Sequence, residues 1–100
     1  MNIKISFENN DLASRSTAAA KREQVMPYLK ANSVVSFEFK NVESISASYA
    51  DELFGILTET FGLTAVSDRI KLINCNDFCA KEVAEAIFRR AEQEQPLIVC

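Results

Sequence analysis

The segment 34–57, VVSFEFKNVESISASYADELFGIL, changes its hydrophobic period once, and that change restricts the fold more than any other feature of the chain. Val35, Phe37 and Phe39 alternate with Ser36, Glu38 and Lys40, the period of a half-buried strand. From Ala50 onward the apolar residues fall instead at Leu53, Phe54, Leu57 and Phe61, one face of a helix. A polar stretch, Asn41 to Ser48, joins the two. A serine-rich loop running into a helix start is suited to receiving an anion, so function is expected near this junction.

The same two periods organise the rest of the chain. Ile3, Ile5 and Phe7 alternate with Lys4 and Ser6 as a first strand, and Glu8-Asn9-Asn10-Asp11 reads as a turn. A first helix is predicted from Arg15 to Leu29, with Ala18, Ala19, Ala20, Val25 and Leu29 for its buried side; Pro27 predicts a kink or an end near Met26. The second helix is predicted from Tyr49 to Phe61, stopped by Gly62. Ile70 to Asn74 forms a third strand, and Asn76 or Asp77 caps a third helix. That helix carries Ala80, Val83, Ala84, Ile87 and Ala91 on one face, and Lys81, Glu82, Glu85, Arg89 and Glu92 on the other. Pro96 ends it, and Leu97-Ile98-Val99 is read as a short final strand.

This β-α-β-α-β-α-β order predicts one α/β domain over 1–100, built on a mostly parallel sheet of about four strands. Parallel sheets covered on both faces have strands that are apolar throughout. Here Lys4, Ser6, Ser36, Glu38 and Lys71 fall on every second position, so two layers are expected, with the helices mainly on one face. Phe37, Leu53, Leu57, Leu72, Val83 and Ile87 are expected to be buried together.

The chain has 100 residues, 48% of them hydrophobic, with two glycines and two prolines. That is enough for a core without metal or disulfide support. The net charge is −3, and the only adjacent basic pairs are Lys21-Arg22 and Arg89-Arg90, which argues against a nucleic-acid partner. No apolar run approaches the ~18 residues of a membrane helix, and the start lacks the apolar core of a signal peptide. A cytoplasmic protein with Cys75, Cys79 and Cys100 as reduced thiols is therefore expected. Histidine is absent, which removes the commonest general base and metal ligand. Cys75-x-x-x-Cys79 is not a usual metal or redox spacing. No catalysis, cofactor or metal is expected. Cys79 sits in a first helical turn, which makes it a candidate for a lowered pKa.

Ser48-Tyr49-Ala50-Asp51 fits a capping box, and as a cap Ser48 would accept from an orphan N–H. The same loop is also a candidate phosphate switch, with Ser46 and Ser48 as acceptors, against the repulsion of Glu43, Asp51 and Glu52. It has no Gly-rich cradle or P-loop lysine for a nucleotide. Ser14-Arg15-Ser16 sets an arginine beside two hydroxyls, a combination that can hold a phosphate or carboxylate.

The segment VSFEFKNVESISASYADELFG resembles the STAS domains of bacterial anti-sigma factor antagonists, and is most similar to a less-characterised STAS-like subgroup. IKLINCND, the helix through Ala86, Ile87, Arg89 and Arg90, and Leu12-Ala13-Ser14-Arg15 add weaker similarity. The resemblance implies a regulatory adaptor that binds another protein, often a kinase-like ATPase, through the loop and helix after the second strand. In the well-known members this loop reads Asp-Ser-Ser/Ala-Gly and its first Ser is phosphorylated. Laid on this chain, those positions fall on Ser46, Ala47, Ser48 and Tyr49. Ala47 has no hydroxyl, so the usual switch is absent from its usual place, and Tyr49 makes the helix entry bulkier and alters the binding surface. The expected recognition surface comprises Ser44, Ser46, Ala47 and Ser48 with the outward residues Asp51, Glu52, Thr58 and Glu59. A small-ligand or nucleotide-binding regulatory domain, or a subunit of a lipid-transport-type assembly, is the alternative. Homodimerisation is left open.

Overall fold

A computed structural model describes residues 2–94. Three parallel strands form the main sheet: β1 (Asn2–Ser6), β3 (Val34–Glu38) and β5 (Ile70–Ile73), in the order β1-β3-β5. Register pairs Ile5 with Phe37 and Phe37 with Leu72. The fourth strand expected at 97–99, the helix stop at Pro96 and the thiol of Cys100 lie outside the described residues. Two segments read as loop, β2 (Asp11–Leu12) and β4 (Ser44–Ile45), pair in parallel as a second small sheet.

Alternation along the strands separates the two faces as the sequence predicts. Ile5, Val35, Phe37, Phe39 and Ile70 are buried, whereas Lys4, Ser6 and Lys71 between them are exposed. On that outer face Glu38 accepts from the Asn74 amide at 2.8 Å and lies 3.6 Å from Lys4. Helical side chains complete the core on the other face, where the Phe37 and Phe54 rings meet edge to face at 4.9 Å.

Helix α1 (Arg15–Lys30) is capped by Ser14, which accepts from the Thr17 N–H at 3.3 Å. It does not end near Met26. Pro27 lacks only the bond to the Glu23 carbonyl, and both residues are exposed, where water can serve that carbonyl. The helix stops instead at Asn32, which adopts φ 63°. Lys21 on α1 is buried; its Nζ donates to the Ser6 carbonyl at 2.9 Å and sits over the Phe7 ring.

The helix after β4, here α2, begins as α (Ala47–Ala50), widens to π (Asp51–Gly55) and returns to α (Ile56–Phe61). The Ile56 N–H reaches the Asp51 carbonyl, five residues back. A π turn holds about one residue more than an α turn, so it rotates everything after it. Thr58 is thereby turned into the core, fully buried, with its hydroxyl donating to the Phe54 carbonyl at 2.9 Å. This corrects its placement on the outward face. After Gly62 (φ 93°) comes a helix the sequence reading missed, α3 (Leu63–Arg69).

Asn76 caps the last helix, α4 (Asp77–Glu94), accepting from the Cys79 N–H at 2.7 Å. The buried residues of α4 are Cys79, Val83, Ala86 and Ala91, with Arg90 partly buried beside them. Phe37, Leu53, Leu57 and Val83 are buried as expected, but Leu72 and Ile87 are only partly so. Leu72, Ile87, Ala80 and Ala84 instead help line an open apolar groove of about 210 Å³ between α3, β5 and α4.

Candidate functional site

The loop before α2 is held from both sides. The Ser44 hydroxyl donates to Asp11 Oδ1 at 2.6 Å, and the Ser46 N–H donates to the Leu12 carbonyl at 2.8 Å. The N-cap of α2 is Ser46, not Ser48. Its Oγ accepts from the Tyr49 N–H at 3.0 Å and donates to the Ala13 carbonyl at 3.0 Å. Backbone pairing of β4 with β2 places the helix start two residues earlier than the capping-box match. Ser48 therefore lies within the first turn, half-buried, and makes no side-chain hydrogen bond among the described residues. Both Ser46 donor and acceptor capacities are engaged, so of the two candidate phosphoacceptors only Ser48 has an unengaged hydroxyl.

Tyr49 does not alter the surface, contrary to the sequence expectation. It is buried, its ring edge-on to Phe7 at 6.2 Å. Its hydroxyl has no hydrogen-bond partner among the described residues, and burial pushes its pKa up to about 12. What the loop presents to solvent is Ala47.

Asp51 and Glu52, expected as open recognition residues, are engaged by arginines from two other helices. Arg90 grips Asp51 in a fork, Nε to Oδ1 and Nη2 to Oδ2 at 2.9 Å each, and its Nη1 reaches Glu59 at 3.1 Å. Arg15 bridges Glu52 at 3.0 Å and Asp51 at 3.4 Å. Arg22 donates to the Glu52 carboxylate at 2.8 Å and to its backbone carbonyl at 2.6 Å. The cluster ties α1, the π turn and α4 together. Hydrogen bonds from Arg90 hold the Asp51 carboxyl below the usual carboxylate range, and those from Arg22 do the same for Glu52.

Gly55 makes the close approach possible. A Cβ there would stand 2.7 Å from Asp51 Oδ1 and 3.0 Å from Arg90 Cγ. Beside this clamp opens a polar cleft of about 410 Å³, lined by Arg15, Ala47, Ser48, Asp51, Arg89 and Arg90. Sequence reasoning placed Arg89 on a solvated face and gave Arg22 and Arg90 no role. The only signals were the Lys21-Arg22 and Arg89-Arg90 doublets.

Cys79 is fully buried, and burial raises its pKa rather than lowering it; the same cause pushes Cys75 up to about 11. Both are packing residues at the junction of β5 and α4. No group of three or more His, Cys, Asp or Glu among the described residues is arranged to hold a metal ion. No helix among them is long and apolar enough to cross a membrane.

A family model described as a STAS-like domain of unknown function (DUF4325) matches residues 21–77, from within α1 to the first residue of α4. The chain belongs to this STAS-like family. The match takes in the loop, the whole of α2 and the carboxylates Asp51, Glu52 and Glu59, but not Arg15, Arg89 or Arg90. No curated protein and no solved structure matched the chain.

Proposed function

We propose that this STAS-like domain is a non-catalytic regulatory module that binds another protein through the Ser44–Ser48 loop and the start of α2. The observation that carries the reading is the contrast around Ala47. A loop pinned by β-pairing and by both hydrogen bonds of Ser46 presents an exposed Ala47 at the rim of a charged cleft. A pre-ordered loop loses little entropy on docking. In the STAS domains that the chain resembles, partners bind at this loop, which supports the reading and makes a kinase-like ATPase the first partner to seek. With alanine at the family's acceptor position, binding does not depend on phosphate.

The test is Ala47→Trp, which adds bulk at an exposed position and leaves the Ser46 cap untouched. Protein captured from native cells by the wild-type chain should be lost with the variant, while its circular dichroism and thermal midpoint stay close to wild type. Retained capture would remove the loop as the binding surface. Stoichiometric phosphate on Ser48 in protein from those cells would defeat phosphate independence.

A further inference from the structure

We infer that the cleft beside Ala47 takes a carboxylate from an acidic segment of the partner protein, with Arg89 as its principal ligand. The inference rests on the loop being the binding surface, and adds the chemistry that the surface recognises. Arg15, Arg22 and Arg90 already bind carboxylates within the chain. Arg89 also lines the cleft, but is exposed and makes no ion pair among the described residues. Glu85, one turn back on α4, is not within ion-pair distance of it. Taken with the residues their ion pairs connect, the charged residues lining the cleft form a cluster of four arginines, Arg15, Arg22, Arg89 and Arg90, and three carboxylates, Asp51, Glu52 and Glu59. One positive charge is left over, in a chain whose net charge is −3.

That surplus distinguishes the possible anions. A single carboxylate neutralises it. A phosphate, carrying nearly two negative charges, would overcharge a site that already contains Asp51. Arginine chemistry also favours a carboxylate. The Arg90–Asp51 fork shows the planar two-bond pairing that arginine makes with carboxylates, and Arg89 is the neighbouring guanidinium that lacks such a partner among the described residues. A nucleic-acid backbone is disfavoured because the chain's net charge is −3 and its basic residues form no extended stripe.

The test is an NMR titration of the full chain with an acetylated tetraglutamate peptide at low salt, and separately with inorganic phosphate. The peptide should shift the Ala47 and Ser48 amides and the Arg89 side chain. Its affinity should fall about tenfold or more in Arg89→Ala, the loss of one charge-assisted pair, with Arg89→Lys between the two. Raising the salt should weaken it further. Phosphate should shift the same signals less at equal concentration. Arg89 is exposed and makes no hydrogen bond or ion pair among the described residues, so these variants are expected to fold normally. No shift at these residues, equal peptide affinity in Arg89→Ala, or stronger binding of phosphate would each overturn the inference. A negative titration alongside lost partner capture by Ala47→Trp would defeat the carboxylate ligand alone. Capture that survives Ala47→Trp would defeat the binding surface itself.

Discussion

The Arg90–Asp51 fork is the contact whose removal tests most of the architecture, because α4 meets the π turn of α2 through it. Asp51→Ala deletes two charge-assisted hydrogen bonds of 2.9 Å and a longer one to Arg15 of 3.4 Å. Bonds to charged groups are worth about 1.5–3 kcal/mol each where well buried. Here the Asp51 and Arg90 side chains retain 14% and 23% of their exposure, so solvent screens part of this. We expect a net loss of about 2–3 kcal/mol, out of the ~5–15 kcal/mol of a typical domain. In a chain of this size that lowers the thermal midpoint by roughly 10–20 °C. Chemical denaturation of Asp51→Ala, Arg90→Ala and the double variant forms a cycle, which should return a coupling of at least about 1 kcal/mol.

The same substitution has a pH signature. The folded-state pKa of Asp51 is depressed, so its contribution is present above the ordinary carboxylate value near 3.9 and is lost as pH falls through the lower, folded value. Wild-type stability should therefore decline below about pH 4, and Asp51→Ala should decline less steeply there. Additive single variants, or an unchanged acid limb, would show that the fork is an incidental surface contact.

Two further outcomes follow from corrected positions. Ser46→Ala should cost about 0.5–2 kcal/mol as the loss of a helix cap, whereas Ser48→Ala should stay within about 0.5 kcal/mol; the reverse order in urea melts would return the cap to Ser48. In a Cys100→Ser background, Cys75 should react with a thiolate-selective reagent at pH 8 about two orders of magnitude more slowly than free cysteine, since its pKa near 11 leaves it protonated; labelling at the free-thiol rate would show that the junction of β5 and α4 opens readily.

Strands β1 and β3 and the main helices were legible because each carries its period over five or more residues. Burial at Ile5, Val35, Phe37 and Phe39 follows the alternation seen in the sequence. What escaped has three physical causes. The β2–β4 pair is two residues long, too short to show a period, yet it sets where α2 begins and so moves the cap from Ser48 to Ser46. The α3 segment, LTAVSDR, has Val66 as its only buried residue, and its start depends on the left-handed Gly62. On α4, the apolar positions suggested a stripe through Ala80, Val83, Ala84, Ile87 and Ala91; Val83 and Ala91 are buried, but Ala80, Ala84 and Ile87 are only partly so. The helix is rotated so that Arg90 extends the buried side, because its guanidinium has a partner in Asp51.

That rotation and the π turn belong to one arrangement. In α2 a regular helix would leave Thr58 on the flank of the apolar face, and a capping box would turn Asp51 back to Ser48. The widened turn instead buries Thr58 and leaves Asp51 free to face α4, across a gap kept open by the missing Cβ of Gly55. No local rule foretells this, since the two partners are 39 residues apart and each satisfies its own helix without the other. The arrangement has a consequence at the surface. By occupying Asp51, Glu52 and Glu59 with Arg15, Arg22 and Arg90, the fold removes acidic charge from beside Ala47 and leaves Arg89 as the group open to a partner. A stretch that reads as acidic in the sequence thus becomes the flank of a cleft with positive charge to spare.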